Sequence, residues 1–178
     1  MIIIIEGPDG SGKTTLANQL SKQTGYKIIH RTRPKTEKEK AIMMDEYLRV
    51  IRSGESIIFD RCWYSEMIYG PVMRNASAIS YPQMYDLERW LMEVGAIIIY
   101  CTDAKQALWA RCQERGEDYI VDKTTFNSIC DGYDALFALP HLIPIMTYKC
   151  PDQLSVWQCS PRNRKVERNE TDNQKQSV

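Results

Sequence analysis

Residues 2–14, IIIIEGPDGSGKT, set the tightest bound on what this chain can fold into. Ile2–Glu6 is an unbroken β-branched run, the pattern of a strand buried on both faces of a parallel sheet. Glycines at 7, 10 and 12 follow at once. They open backbone conformations closed to other residues, so the chain can turn sharply out of the strand with its N–H groups converging. Lys13–Thr24 then reads as a helix, with Leu16 and Leu20 on one face and Gly25 to stop it. Strand, glycine turn and helix in this order begin a βαβ unit. That commits the chain to a parallel sheet covered by helices.

The alternation continues to the C-terminal third. Residues 26–30 read as a second strand and 35–53 as a helix with Ile42, Met43, Tyr47, Leu48 and Ile51 as its apolar stripe. A third buried strand is expected at 56–60, and a helix begins over 62–69. A helix at 82–94, a strand at 96–101 and helices at 104–115 and 122–136 follow. Residues 143–148 form a candidate fifth strand, placed at a sheet edge or made irregular by Pro144. The fold class is therefore α/β, with a five-stranded parallel sheet between helices.

A chain of 178 residues, 43% of them apolar, is one domain with a core of ordinary size. Its 23 basic and 23 acidic side chains balance, which leaves no footprint for nucleic acid or an anionic membrane. The six cysteines form no C-x-x-C pair, and with only two histidines a zinc site is not expected. Free thiols fit a reducing cytoplasm. The N-terminal isoleucine run lacks the basic flank and cleavage site of a signal peptide and is too short to span a membrane. Residues 160–178 lose the apolar pattern and read as a polar, disordered tail.

Gly7–Thr14 fits G-x-x-x-x-G-K-[ST], and it lies between strand and helix, as that motif requires. Backbone amides of Gly7, Gly10, Ser11 and Gly12 and the positive end of the helix suit a chain of phosphates. Lys13 would reach the β- and γ-phosphates of a nucleoside triphosphate, and Thr14, followed by Thr15, would offer a hydroxyl to Mg²⁺. The plain alternative, a glycine turn before a helix, would not need the lysine.

Three further clusters fall where strands or helices end. Asp60-Arg61 closes the third strand, where the ligand crevice of a parallel sheet lies. An aspartate there can hold Mg²⁺ and an arginine can clamp a phosphate, although a salt bridge at a strand end has the same composition. Arg31 and Arg33 follow the second strand and suit the phosphate of an acceptor nucleotide, or a solvated loop. Arg111 and Arg115 share a helical face before Gly116. They can neutralise a transferred phosphoryl group from a lid, or cap a helix C-terminus. Tyr47, Trp63, Tyr64 and Tyr69 can stack on a base or fill the core.

GPDGSGKTT, Arg31 to Pro34, DRCWYSEMIY at 60–69 and RCQERGEDY at 111–119 resemble thymidylate kinases and the neighbouring deoxynucleoside kinases, over roughly residues 1–137. Asp60, Arg61, Ser65 and Tyr69 match the thymidylate kinase pattern D-R-Y-x-x-S-x-x-A-Y. The resemblance implies a three-layer P-loop kinase fold over residues 1–159, with a lid at about 111–122. It implies that Asp9 contacts the acceptor sugar's 3′-hydroxyl, Arg61 its phosphate and Tyr69 its base or sugar. Arg111 would lie near the adenine of ATP and Arg115 in the lid. Mg²⁺ and a homodimer belong to the same expectation. Cys62 replaces the family's aromatic, Ile68 its alanine and Gly70 its common glutamine, and the base-reading region between the second and third strands is short. These departures bear on thymine, not on phosphoryl transfer; the compact chain suits a viral or otherwise divergent member.

The sequence thus points to a nucleoside monophosphate kinase that passes the ATP γ-phosphoryl to a deoxynucleoside monophosphate, dTMP by resemblance. A deoxynucleoside kinase needs a carboxylate base after the second strand, where this chain has His30-Arg31-Thr32-Arg33. A modified-pyrimidine or DNA-base kinase on the same fold and an ATP-dependent regulatory module are the remaining alternatives.

Overall fold

The computed structural model describes residues 1–31, 34–116 and 122–149. Its first strand, β1 (Ile2–Glu6), is buried at all five positions, as an uninterrupted β-branched run requires. Successive side chains of a strand point to opposite faces, and here both faces are covered. Ile2 and Ile4 enter one core; Ile3 and Ile5 enter the other.

Around β1 lie β2 (Lys27–His30), β3 (Ile57–Asp60), β4 (Ile97–Thr102) and β5 (Ile145–Lys149), in the order β2-β3-β1-β4-β5 and all parallel. The smaller core packs Leu16 and Ala17 of α1 (Lys13–Thr24) on Ile3, Ile5, Ile58 and Ile99. On the opposite face α2 (Glu37–Ile51), α3 (Trp63–Arg74), α4 (Tyr81–Glu93) and α6 (Lys123–Ala138) build the larger core, joined by Leu108 and Cys112 of α5 (Lys105–Glu114). The expected α/β sandwich with a five-stranded parallel sheet is the architecture observed.

Element ends differ from the sequence reading for local reasons. The helix expected from residue 35 starts at Glu37, because the Thr36 hydroxyl accepts from the Glu39 amide at 3.1 Å and caps it. Ser80 and Gln83 form a reciprocal capping box on α4. The helix begun at residue 62 runs on through Pro71 to Arg74 and ends at Asn75, whose φ of 57° turns the chain left-handed. Pro144 precedes β5, an edge strand, and its carbonyl accepts from Ile98 at 2.9 Å. Among the described residues no helix is long and apolar enough to cross a membrane.

On the larger core lies a fully buried carboxylate, Glu88. It accepts from the Tyr64 hydroxyl at 2.6 Å and the Leu142 amide at 2.7 Å, and meets His141 Nδ1 at 2.6 Å. The other ring nitrogen of His141 lies 3.0 Å from the Leu136 carbonyl. Glu88 thereby ties α4 and α3 to the turn after α6. Truncating it leaves the buried Tyr64 hydroxyl and His141 ring, and the Leu142 amide, without this partner. We expect Glu88→Ala to cost about 3–5 kcal/mol and Glu88→Gln, which keeps an acceptor, distinctly less. Urea unfolding with an unchanged m-value measures both.

Candidate active site

The turn after β1 is shaped by glycines that nothing else can replace. Gly7 has φ +148°, and a Cβ there would lie 2.0 Å from the Cys101 carbonyl oxygen of β4. Gly10, at φ +77°, passes so close to α5 that a Cβ would meet the Leu108 carbonyl oxygen at 2.4 Å. The loop is clamped between β4 and α5, and Gly12, at φ 80°, opens α1 without a side-chain cap. The first amides of that helix are thus left for a ligand. Within the loop Ser11 donates to the Pro8 carbonyl at 2.7 Å. Lys13 Nζ folds onto the same oxygen at 2.6 Å. Thr15 is exposed in the first turn of α1.

Glu6, the last residue of β1, has no solvent exposure. Its carboxylate accepts from the amides of Cys62 at 2.7 Å and Ser65 at 3.2 Å, both at the N-terminus of α3. The hydroxyls of Ser65 and Tyr133 donate to it at 2.8 and 3.1 Å. A negative charge at a helix N-terminus completes orphan amides and complements the helix dipole. Sequence reasoning missed this residue. Its signal was an acid closing an otherwise apolar strand, one residue before the glycine turn.

β3 delivers Asp60 and Arg61 beside the loop. Thr14 Oγ1 donates to Asp60 Oδ2 at 2.8 Å, and His30 Nδ1 lies 3.1 Å from the same oxygen. Asp60 is 1% exposed, yet its Oδ1 has no hydrogen-bond partner. A buried, unpartnered carboxylate oxygen beside a threonine hydroxyl fits a hard divalent cation, which takes oxygen ligands and completes its shell with phosphates and water. No group of three or more acidic, His or Cys side chains set to hold a metal occurs among the described residues.

Arg61 turns left-handed at φ 72°, a costly conformation for an arginine, and its amide donates to the Ile5 carbonyl at 3.1 Å. That turn sends its side chain back to the glycine loop, where Nη2 pairs with Asp9 Oδ1. The Tyr69 hydroxyl donates to the other oxygen of Asp9 at 2.7 Å. Burial pushes the Asp9 carboxyl up, but the charges of Arg61 and Lys13 and the two hydrogen bonds outweigh it and hold the group below the usual carboxylate range.

Asp9, Arg61 and Tyr69 form one end of a cavity of about 460 Å³. Its walls are the loop after β2, with His30, Arg31 and Lys35; Met43 and Tyr47 of α2; and the face of α3 carrying Ser65, Glu66 and Tyr69. Arg31 pairs with Glu46 at 3.0 Å and lies over the Tyr47 ring at 5.3 Å. Thr32 and Arg33 lie outside the described residues, as do positions 117–121 of the expected lid and the tail.

Other candidates stand apart from this cavity. Trp63 and Tyr64 have no exposure and belong to the core, whereas Tyr47 and Tyr69 face the cavity. Arg111 pairs with Asp103 at 2.6 Å on the α5 side of the loop, and Arg115 is the exposed C-cap of α5. Neither lines the cavity.

No family model matches the sequence. The chain is 28% identical over 132 residues to the SPbeta prophage-derived protein YorR of Bacillus subtilis, covering 74% of this chain and 79% of that one. The crystal structure of YorR, in complex with phosphorylated GDP, superposes with a TM-score of 0.72 at 23% identity, over 84% of this chain and 85% of that one. Deoxyadenosine kinase from M. mycoides with bound dATP gives a TM-score of 0.55 at 18% identity, over 84% and 91% of the two chains. Polyphosphate kinase 2 from Arthrobacter aurescens gives 0.66 at 18% identity, over 82% of this chain and 59% of that one. The fold is that of the P-loop kinases.

Burial, and then the nearby Arg61 cation, pull the Lys13 ammonium down to about 8, only partly opposed by Asp9 and Glu6. A bound triphosphate would raise it again. Above pH 8 the free protein has therefore lost a proton that the complex retains, so binding takes up protons and weakens as pH rises through 8. Calorimetric titration with tripolyphosphate at about pH 7 and about pH 9, in buffers of different ionisation enthalpy, measures the uptake. Lys13→Met should abolish it.

Proposed function

We propose that the chain is a nucleoside monophosphate kinase, which transfers the γ-phosphoryl of Mg-ATP to a nucleotide held in the cavity beside β3. One observation carries this reading. Arg61 stands where the cavity meets the glycine loop, Arg31 and Lys35 add two more cations to the cavity wall, and the carboxylate beside Arg61, Asp9, is already paired with Arg61 and Tyr69.

A monophosphate acceptor suits that end. Its second pKa is about 6, so near neutral pH its oxygen is already a nucleophile and needs no base. The work left to the protein is positioning and charge neutralisation. The glycine loop and Lys13 would take the donor phosphates, and Arg61 the acceptor phosphate where it meets them. Thr14 and Asp60 would hold Mg²⁺, which when bound neutralises charge on the β- and γ-phosphates. In this reading Arg111 and Arg115 serve the donor side. The Arg61–Asp9 ion pair links the two substrate sites, so that an acceptor drawing on Arg61 also alters the wall of the donor loop.

The relatives support a nucleotide substrate without agreeing on a base. Their ligands carry guanine in YorR and adenine or cytosine in the deoxyadenosine kinase, the last seen with dCMP and dCDP. Thymine, the acceptor base implied by the sequence resemblance, is not among them. The second reading is a deoxynucleoside kinase, with Asp9 as the carboxylate nearest the junction of loop and cavity. A carboxylate held charged by Arg61 is a weak base, which favours the monophosphate.

ADP release with Mg-ATP, measured across nucleoside monophosphates and the matching nucleosides, tests the proposal. Turnover of monophosphates alone is expected; turnover of nucleosides alone would sink it. Arg61→Ala should raise the acceptor KM about 10- to 100-fold and the ATP KM far less. Equal losses on both substrates would remove Arg61 from the acceptor site.

A further inference from the structure

The cavity wall holds a second carboxylate besides Asp9, and its surroundings differ from those of the first. Cys62, Ser65, Glu66 and Tyr69 sit at helical spacing on one face of α3 and all line the cavity. Tyr69 belongs to the Asp9 cluster and Ser65 to Glu6. Glu66 belongs to neither. It is 6% exposed and pairs with Arg74, further along α3, at 2.5 Å. It also accepts from the Ala78 amide at 3.1 Å. The turn carrying Ala78 comes so close to α3 that a Cβ on Gly70 would lie 2.5 Å from the Ala76 carbonyl oxygen. The carboxylate is thus fixed from two sides. The same cavity has an apolar and aromatic wall in Met43 and Tyr47.

A carboxylate offers about four acceptor sites, and Arg74 and Ala78 take two of them. The remainder can serve a ligand in the cavity. An ionised carboxylate has no donor, so it selects a base edge with adjacent N–H groups and repels carbonyl oxygens. Guanine presents two such donors side by side, N1–H and the N2 amino group, with O6 next to them. Arg74 keeps two buried donors without a partner, Nε and Nη1, on the group bound to Glu66. Thymine presents a single N–H flanked by two carbonyls, one of which would face the carboxylate.

We propose that Glu66, steadied by Arg74, is the base-reading residue of this cavity and that it selects a guanine nucleotide over a thymine one. The inference rests on the cavity being the acceptor-nucleotide site. The phosphate would lie at the Arg61 end, the base between Tyr47 and the α3 face, and the Watson–Crick edge on Glu66.

The test is equilibrium binding of dGMP, dIMP, dAMP, dCMP and dTMP to the wild-type protein, together with the five matching nucleosides. dGMP should bind best. dIMP, which lacks only the N2 amino group, should bind about 10-fold more weakly, and dTMP about 100-fold more weakly. Glu66→Gln should compress the dGMP-to-dTMP ratio to within about threefold, because an amide can donate to a carbonyl as well as accept. A role confined to holding the turn at Ala78 would lower affinity for every base alike and leave the ratio unchanged. That result overturns the proposal, as does wild-type binding of dTMP equal to that of dGMP, or no binding of any of these ligands. The wild-type ranking decides the matter even if the variant fails to fold. A guanine preference retained among nucleosides, with no advantage for monophosphates, would refute the monophosphate reading and leave the role of Glu66 standing.

Discussion

Glu6 is the joint on which the site hangs. A carboxylate removed from water is tolerated only when its acceptor sites are filled, and here two amides of α3 and two hydroxyls fill them. One of those hydroxyls belongs to Tyr133 of α6. A single side chain at the end of the central strand therefore orients the helix that forms the cavity wall and the helix packed behind it. It also stands immediately before the glycine turn. The glycine loop and the cavity inherit their relative placement from one buried group.

The second constraint is backbone strain at Arg61. A left-handed arginine costs on the order of 1–3 kcal/mol, and such cost persists where surrounding contacts over-determine it. Those contacts are visible here: the Arg61 amide bonds Ile5, its guanidinium pairs with Asp9, and it lies 5.6 Å from the centre of the Tyr69 ring. The turn aims the side chain at the glycine loop. An extended residue would carry it along the strand direction and away from that loop. Geometry and charge reinforce each other, because the cation that needs the strained turn also keeps Asp9 ionised and helps depress Lys13.

Charge is distributed along the cavity as an amphipathic ligand would need it. The cavity wall carries three cations, Arg31, Lys35 and Arg61, and a buried acid, Glu66, on the α3 face. Met43 and Tyr47 of α2 add apolar area and a ring face to the wall. Nucleotides combine parts of the same kinds: an anionic end, an apolar ring face and a polar edge. The overall neutrality of the chain conceals this separation, since net charge sums what the fold segregates.

The sequence by itself determined the sheet, the glycine loop and the helix that follows it. Ile2–Glu6 and Gly7–Thr14 act through local rules: β-branched burial, glycine conformations and helix polarity operate on neighbouring residues. Asp60 and Arg61 were legible for the same reason, as polar residues at the end of a buried strand. What only the tertiary structure decided was which distant groups meet. Glu6 needed α3 and α6 to acquire a role, the partners of Arg61 came from β1, the glycine loop and α3, and Glu66 became a cavity residue only when residues of α2 and the loop after β2 closed a cavity with α3. Trp63 and Tyr64 show the converse: two aromatics beside the D-R pair are withdrawn into the core because helical spacing turns them away from the cavity. Contacts between residues tens of positions apart depend on strand order and helix rotation, and no local pattern encodes either.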